Sequence, residues 1–415
     1  MPWGARGRAG AELPAEGSGA AVGHVCGRGR TLGLGRPLRD GADGAVAGAN
    51  GVRAELRTGL IPCMPLLLFA GSLLASWPAA AAAEEQAPLV LGLSPGTEAV
   101  VQRGLDRLLQ LQDSKTGAFG ERYRIASTAL AGLALLAAGQ HWDRGPRAQA
   151  LRDAVSYLRL NAQQPQPGLV FFYDGESQGK MHAHGFALLL ACEVYGETDH
   201  DAELAGLIRG GVRAVLEAQT PRGGWGYYLR GESGFGEDEA SVTITQIQAL
   251  RAARNAGFHV PVQAIERAIE YVKASMTADG SVRYSLSMGG AESQRTSYEL
   301  TAAAVATLNA SGVYRSEELE RGLGYLRARY PQYRTPDRAA TDFYWYGNLY
   351  AAQALWQAGS ADWQAWFPAV ERRLIELQQP EGGWTSERNF GEAYATATAL
   401  LILQIPRRYV PIFER

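Results

Sequence analysis

Two kinds of apolar pattern alternate along the chain from residue 97 onward. Stretches 98–112, 147–163, 202–219, 262–276, 317–330 and 364–378 interleave apolar and charged residues at helical spacing, which predicts helices with one wet face. Between them, stretches 125–136, 184–192, 242–250, 300–308, 349–356 and 394–403 are almost free of charge, and a helix that is apolar all round is buried all round. Six amphipathic and six charge-free helices in strict alternation predict an outer ring of helices around an inner ring. This is an all-α fold, an α/α toroid (α6/α6 barrel) of six helix-hairpin repeats over residues 88–415. An open solenoid of the same hairpins is the alternative, because alternation alone does not establish closure.

The connections carry a second periodicity. A Gln, or Met276 in its place, ends most first helices and a Gly turn follows: Gln112…Gly117-Ala-Phe119, Gln164…Gly168, Gln219-Thr-Pro-Arg-Gly223-Gly-Trp225, Met276…Gly280 and Gln378-Gln-Pro-Glu-Gly382-Gly-Trp384. With a worn copy at Tyr330-Pro-Gln-Tyr333, successive marks lie about 48 to 57 residues apart, enough for two helices with loops. Connections after the second helices are short and often led by Gly, as at Gly196, Gly257 and Gly312, so they read as helix stops. Connections before the second helices are long and carry aromatic and charged residues. All six long loops are therefore expected on one face, and loops of this length in a compact domain are usually functional.

Composition changes sharply ahead of residue 88. Residues 1–63 are rich in Gly, Ala and Arg and, through residue 56, lack apolar periodicity, which predicts a disordered or extraneous extension. Residues 64–83 form an apolar run after Arg53 and Arg57 that ends in five alanines, the layout of a signal peptide. The run is short for a membrane span of about 20 residues, so an exported, periplasmic or secreted protein with no span after cleavage is expected. Cys192 would be the one cysteine of the mature domain, which excludes an internal disulfide there. With 40 basic and 42 acidic residues mixed along the chain, no patch for nucleic acid emerges.

Gln-x-x-x-Gly-x-Trp, complete at Gln219 to Trp225 and at Gln378 to Trp384, resembles the repeat mark of squalene cyclases, and the chain is similar to the prenyltransferase and squalene-oxidase repeat superfamily over 97–415. The stretches Gly224-Trp-Gly-Tyr-Tyr, Asp342-Phe-Tyr-Trp-Tyr-Gly347 and the C-terminal Leu403-Gln-Ile-Pro-Arg-Arg-Tyr-Val-Pro resemble an exported bacterial branch with no assigned reaction. The resemblance implies a terpenoid cyclase-like isomerase if the protein is an enzyme, with Trp225 and Trp384 as scaffold.

The known chemistries of that superfamily can be tested residue by residue. Terpenoid cyclases protonate an alkene from Asp-x-Asp-Asp, and the matching string here is Gly236-Glu237-Asp238-Glu239, placing Asp238 as the central acid with Glu237 and Glu239 beside it. Clustered carboxylates raise one another's pKa and keep one protonated, as general acid catalysis requires. The same string equally serves as an acidic first turn on a helix dipole. Zinc-dependent prenyl transfer needs Asp-x-Cys, and thioester capture needs Gly-Cys-Gly-Glu-Gln; the sequence contains neither. His182 and His184, two residues apart on a helix, point to different sides. No metal or cofactor is expected, and one His is expected to point inward, with His184 taken as the ligand-facing one.

The second helices, if inner, aim six N-termini at the long-loop face, where Arg122 and Lys180 would meet an anionic headgroup. Tyr123, Tyr173, Tyr228, Tyr344 and Tyr346 are expected to wall an apolar central cavity that holds an isoprenoid-like ligand. A non-catalytic toroid that docks a protein or a glycan through the loop face fits the same residues.

Overall fold

The structure, a computed structural model, describes residues 92–176, 179–334, 343–386 and 389–411. The expected extension and signal, together with Asp337, Arg338 and Asp342, lie outside the described residues. Six outer helices, α1 (Pro95–Gln110), α3 (Ala148–Leu160), α5 (Ala202–Ala218), α7 (Val262–Ser275), α10 (Glu317–Arg334) and α12 (Ser360–Leu377), alternate with six inner ones. The inner helices are α2 (Arg124–Ala137), α4 (Lys180–Tyr195), α6 (Ala240–Asn255), α9 (Tyr298–Ala310), α11 (Tyr344–Ala358) and α13 (Glu392–Gln404), with α8 (Gly290–Ser293) a single turn in a loop. Their burial follows the sequence pattern: α9 is buried along its whole length and α11 from Tyr344 to Gln357, whereas α7 buries only its Ala264, Ala268, Tyr271, Val272 and Ser275 stripe. Among the described residues no helix is long and apolar enough to cross a membrane.

The ring is closed. Each inner helix packs on the next, and α13 packs back on α2 while α1 packs on α12 and α13. Polar contacts seal the seam: Gln404 Nε2 donates to the Ala134 carbonyl at 3.1 Å, Arg107 grips Glu392 at 2.8 and 2.9 Å, and Arg407 pairs with Glu98 at 2.5 Å. Closure therefore rules out the open solenoid.

The repeat marks hold neighbouring outer helices together. The side-chain amide of Gln219 donates to the Gly223 carbonyl in its own turn and to the Ala264 carbonyl of the next outer helix, both at 2.8 Å. Gln112 does the same with Gly117 and Ala150, and Gln378 with Gly382 and Val100, so the last mark grips the first helix. The glycines permit that approach. A Cβ on Gly223, at φ +94°, would lie 2.2 Å from the Arg267 carbonyl, and one on Gly382 would lie 2.6 Å from that of Arg103. Trp225 and Trp384, both fully buried, donate Nε1–H back to Val215 and Leu374 in their own outer helices at 2.7 and 2.8 Å.

Three details differ from the sequence pattern. The stretch 162–172, expected as helix end and loop, contains an antiparallel pair, β1 (Ala162–Gln166) and β2 (Leu169–Phe172), whose apolar Leu-Val-Phe-Phe run is buried against α5. A second short ladder joins β3 (Val282–Arg283) to β4 (Thr296–Ser297). The worn mark at 330–333 makes no turn, and α10 runs through it to Arg334.

Gly223→Ala is expected to lower unfolding free energy by roughly 2–4 kcal/mol, because the added methyl meets a backbone carbonyl and the φ is left-handed. Trp225→Phe, which keeps most of the buried surface but leaves the Val215 carbonyl unpaired, should cost about 1–3 kcal/mol. Denaturant unfolding of both variants checks the order of the two effects.

Candidate functional site

Inner helices run opposite to outer ones, so the long connections gather, as far as the described residues go, at the inner N-termini. There Gly226 lets the acidic string cross over the third repeat mark, since a Cβ on it would lie 2.0 Å from the Glu237 carbonyl. The Glu239 N–H bonds the Trp225 carbonyl at 2.9 Å and the Ala240 N–H bonds that of Tyr284 at 3.0 Å, fixing where α6 begins.

The three acids of that string separate. Glu237 is exposed. Asp238 is buried, and its Oδ1 accepts from the Tyr271 hydroxyl at 2.9 Å, Ser285 Oγ at 3.1 Å and the Leu286 N–H at 2.7 Å, which staples α7 to the loop before α9. Its Oδ2 is buried with no hydrogen-bond partner among the described residues. Glu239, equally buried, accepts from Ser241 Oγ at the start of α6. Burial lifts its pKa to about 7, although Ser241 and the nearby hydroxyls of Tyr227 and Tyr284 pull the other way. Asp238, expected as the central acid, is thus tied to three donors, while Glu239 shares Ser241 with His182.

The two histidines diverge, and the inward one is not the one expected. His184 is locked into the repeat scaffold, its Nδ1 accepting the Phe172 N–H at 3.2 Å and its Nε2 3.3 Å from the Gly211 carbonyl. In other repeats a threonine holds that place, as Thr128 does for the Phe119 N–H, Thr243 for Trp225 and Thr396 for Trp384. With both ring nitrogens committed to backbone and its pKa held down at about 4 by burial, His184 has no group left for a ligand. His182 instead faces the interior, with Nε2 3.4 Å from Ser241 Oγ and burial keeping it neutral.

Ser241 links the cluster to the far side of the ring. The Tyr346 hydroxyl of α11 donates to the Ser241 carbonyl at 3.1 Å, and its ring lies 6.4 Å from that of His182. One level deeper, Gln248 of α6 bonds Gln353 of α11. The third and fifth inner helices therefore touch across the axis, and polar side chains bridge the bore. These two bonds cross the region where the sequence pattern placed an aromatic-walled cavity. Burial raises the Tyr346 phenol well above its ordinary range, with Tyr350, Glu239, Tyr394 and Glu299 adding to the shift. Glu299, buried against Gly347, is a second inner carboxyl that the sequence pattern did not single out.

The remaining predicted residues sit nearer the rim. Tyr123 packs edge-on against Phe390 with ring centres 5.6 Å apart, carries the exposed Arg122 guanidinium 5.3 Å from its ring, and donates its backbone N–H to Glu176. Tyr173, Phe172 and Lys180 meet Tyr123 around a small recess with room for about one water, about 10 Å³. Lys180 pairs with Glu232 at 2.6 Å and lies 5.6 Å from the half-exposed ring of Tyr228. Tyr344 is buried edge-on against Trp345. The structure thus brings Glu239, Tyr346 and Tyr228 to the α4–α6 side of the loop face, Tyr123, Arg122 and Tyr173 to the neighbouring α2–α4 mouth, and leaves His184 outside both. Sequence reasoning missed Ser241, Tyr284 and the inward role of His182; aligning the second helices on their threonines would have exposed His184 as scaffold.

No family model and no curated protein matches this sequence. Among solved structures, the chain is similar to a GH76 alpha-mannanase of Bacteroides thetaiotaomicron, with a TM-score of 0.57 and 10% identity over 76% of this chain and 96% of that one. It is similar to the apo type II terpene cyclase of Scytonema, with a TM-score of 0.51 and 16% identity over 76% and 98%. An inactive variant of the alpha-1,6-mannanase GH76A of Salegentibacter, altered at two adjacent aspartates and bound to alpha-1,6-mannotriose, gives 0.54 and 9% over 75% and 98%. At these identities the likeness shows the fold alone: the chain is an α/α toroid, the architecture shared by these cyclase and mannanase structures.

Proposed function

We propose that this toroid is an enzyme that works by proton donation from Glu239 at the loop-bearing end of the ring. The observation that carries the reading is the placement of a fully buried carboxyl at the start of an inner helix, in contact with Ser241 and beside a neutral His182. A carboxyl that keeps its proton near neutral pH is what general acid catalysis needs. Asp238, stapled by three donors, acts as a positioning residue that holds the backbone of its neighbour.

The substrate class follows from the surroundings. Hydrogen bonds cross the bore, and Asp174, Glu176 and Lys180 mix with Tyr123 and Tyr173 at the mouth, a polar and aromatic setting that favours a glycan. An isoprenoid-like ligand is the alternative carried by the repeat mark, which acts here as scaffold and so says little about chemistry. Export, expected from residues 64–83, also fits a glycan better than isoprenoid diphosphates made in the cytoplasm.

Purified protein incubated with alpha-1,6-mannan, other glycans, squalene and geranylgeranyl compounds should convert one of these classes. Glu239→Gln should slow that conversion by roughly 10²–10⁴-fold while Glu237→Gln leaves it within about twofold. Conversion of nothing, or undiminished conversion by Glu239→Gln, would sink the acid reading and favour a toroid that binds a protein or glycan without catalysis.

Stability should record the same group. Glu239 holds its proton more tightly folded than unfolded, so its contribution is complete below about pH 4.5 and is lost as pH rises through about 7. The depressed histidines act oppositely, contributing above about pH 6.5 and less as pH falls. The difference in unfolding free energy between wild type and Glu239→Gln cancels the histidine part and should shrink by about 3 kcal/mol from pH 4.5 to 8. A difference that stays flat over that range would place Glu239 in water rather than in the ring.

A further inference from the structure

The opposite end of the ring holds a cavity that the proposed acid site does not use. It measures about 230 Å³ and lies where α2, α4 and α6 end, with Leu136, Cys192, Glu193, Glu197, Ala252 and Asn255 among its walls and Tyr409 and Pro411 of the C-terminal segment over it. Tyr409 is 58% exposed and rests on Gly139 just past α2, close enough that a Cβ there would lie 3.1 Å from its ring.

Three features give this cavity one electrostatic sign. The last carbonyls of three inner helices end together here, each carrying the partial negative charge of a helix C-terminus. Glu193 is partly buried and makes no hydrogen bond or ion pair with any described residue, although a carboxylate withdrawn from water normally finds one. Glu197 adds a second carboxylate, accepting the Trp142 N–H at 2.7 Å and facing His141 Nδ1 at 3.3 Å. Burial pushes the Glu193 pKa up, Arg251 of α6 draws it down while offsetting part of this charge, and Glu197 raises it further, leaving it at about 7. The Cys192 thiol is held neutral by burial.

An anion would meet these carbonyls and carboxylates unfavourably, and a neutral apolar molecule would leave Glu193 without a partner. A cation with a short carbon body satisfies every wall: its charge meets Glu193 and the helix ends, its body meets Leu136 and Ala252, and the Tyr409 ring offers a cation–π face. The volume is below that of a drug-sized pocket and suits a ligand of a few heavy atoms. We propose that this cavity binds a small organic ammonium ion, held by Glu193 and covered by Tyr409.

The test is calorimetric titration of the full chain with n-butylammonium chloride, beside butan-1-ol, sodium butyrate and sodium chloride. Saturable binding of butylammonium alone is expected, weakened roughly tenfold or more by Glu193→Gln and several-fold by Tyr409→Ala. No saturable binding, equal binding by Glu193→Gln, or equal binding of butan-1-ol overturns the proposal. Should Glu193→Gln fail to fold, the wild type decides. Affinity is expected to rise about tenfold from pH 6 to 8 as Glu193 ionises. An affinity independent of pH across that range overturns it equally.

Discussion

The whole ring depends on one backbone approach: the turn at the end of an outer helix docking against a carbonyl of the next outer helix. Without a side chain, Gly223 brings its turn to within van der Waals range of Arg267, and Gln219 then spends both amide hydrogens on carbonyls from the two partners. The carbonyl of Ala264 that receives it is already a helix acceptor with a second lone pair free, so the bond is gained without breaking the helix. The same approach recurs at Gly117 with Asp153, Gly280 with Arg321 and Gly382 with Arg103, so four of the turns seat neighbouring outer helices alike. The Gln378 turn grips Val100 and Arg103 in the same manner, so the last mark ties back to the first helix where the array closes on itself.

Closure has a cost that shapes the interior. Inner helices buried on every side cannot leave their polar groups to water, and the unpaired alternative is expensive in a dry interior. Tyr346 therefore reaches the Ser241 carbonyl, Gln248 reaches Gln353, and Gln246 reaches the Met181 carbonyl at 2.8 Å. These bonds brace α6 against α4 and α11. Helix termini of opposite polarity gather at the two ends of the ring, N-termini around Glu239 and C-termini around Glu193.

The acid string shows how finely position decides role. Asp238 and Glu239 are neighbours in an extended segment, so their side chains leave opposite faces. One meets Tyr271, Ser285 and the Leu286 N–H and becomes a staple; the other lies beside Ser241, where burial raises its pKa to about 7. The same logic splits His182 from His184, whose spacing on α4 sends one ring to Ser241 and the other to Gly211.

By itself the sequence determined the count, order and kind of the helices, because charge-free and one-sided patterns report burial directly, and it located the marks at Gln219, Gly223 and Trp225 whose spacing sets the repeat. It also placed the acidic string at an inner N-terminus and the long loops on one face. Closure, the bridged bore and the choice of Glu239 and His182 as the inward groups were decided only in three dimensions. The reason is physical: which face of a helix or strand looks inward, and whether a cavity survives, depends on contacts such as Tyr346 to Ser241 that join residues 105 positions apart. A periodic pattern carries no record of those.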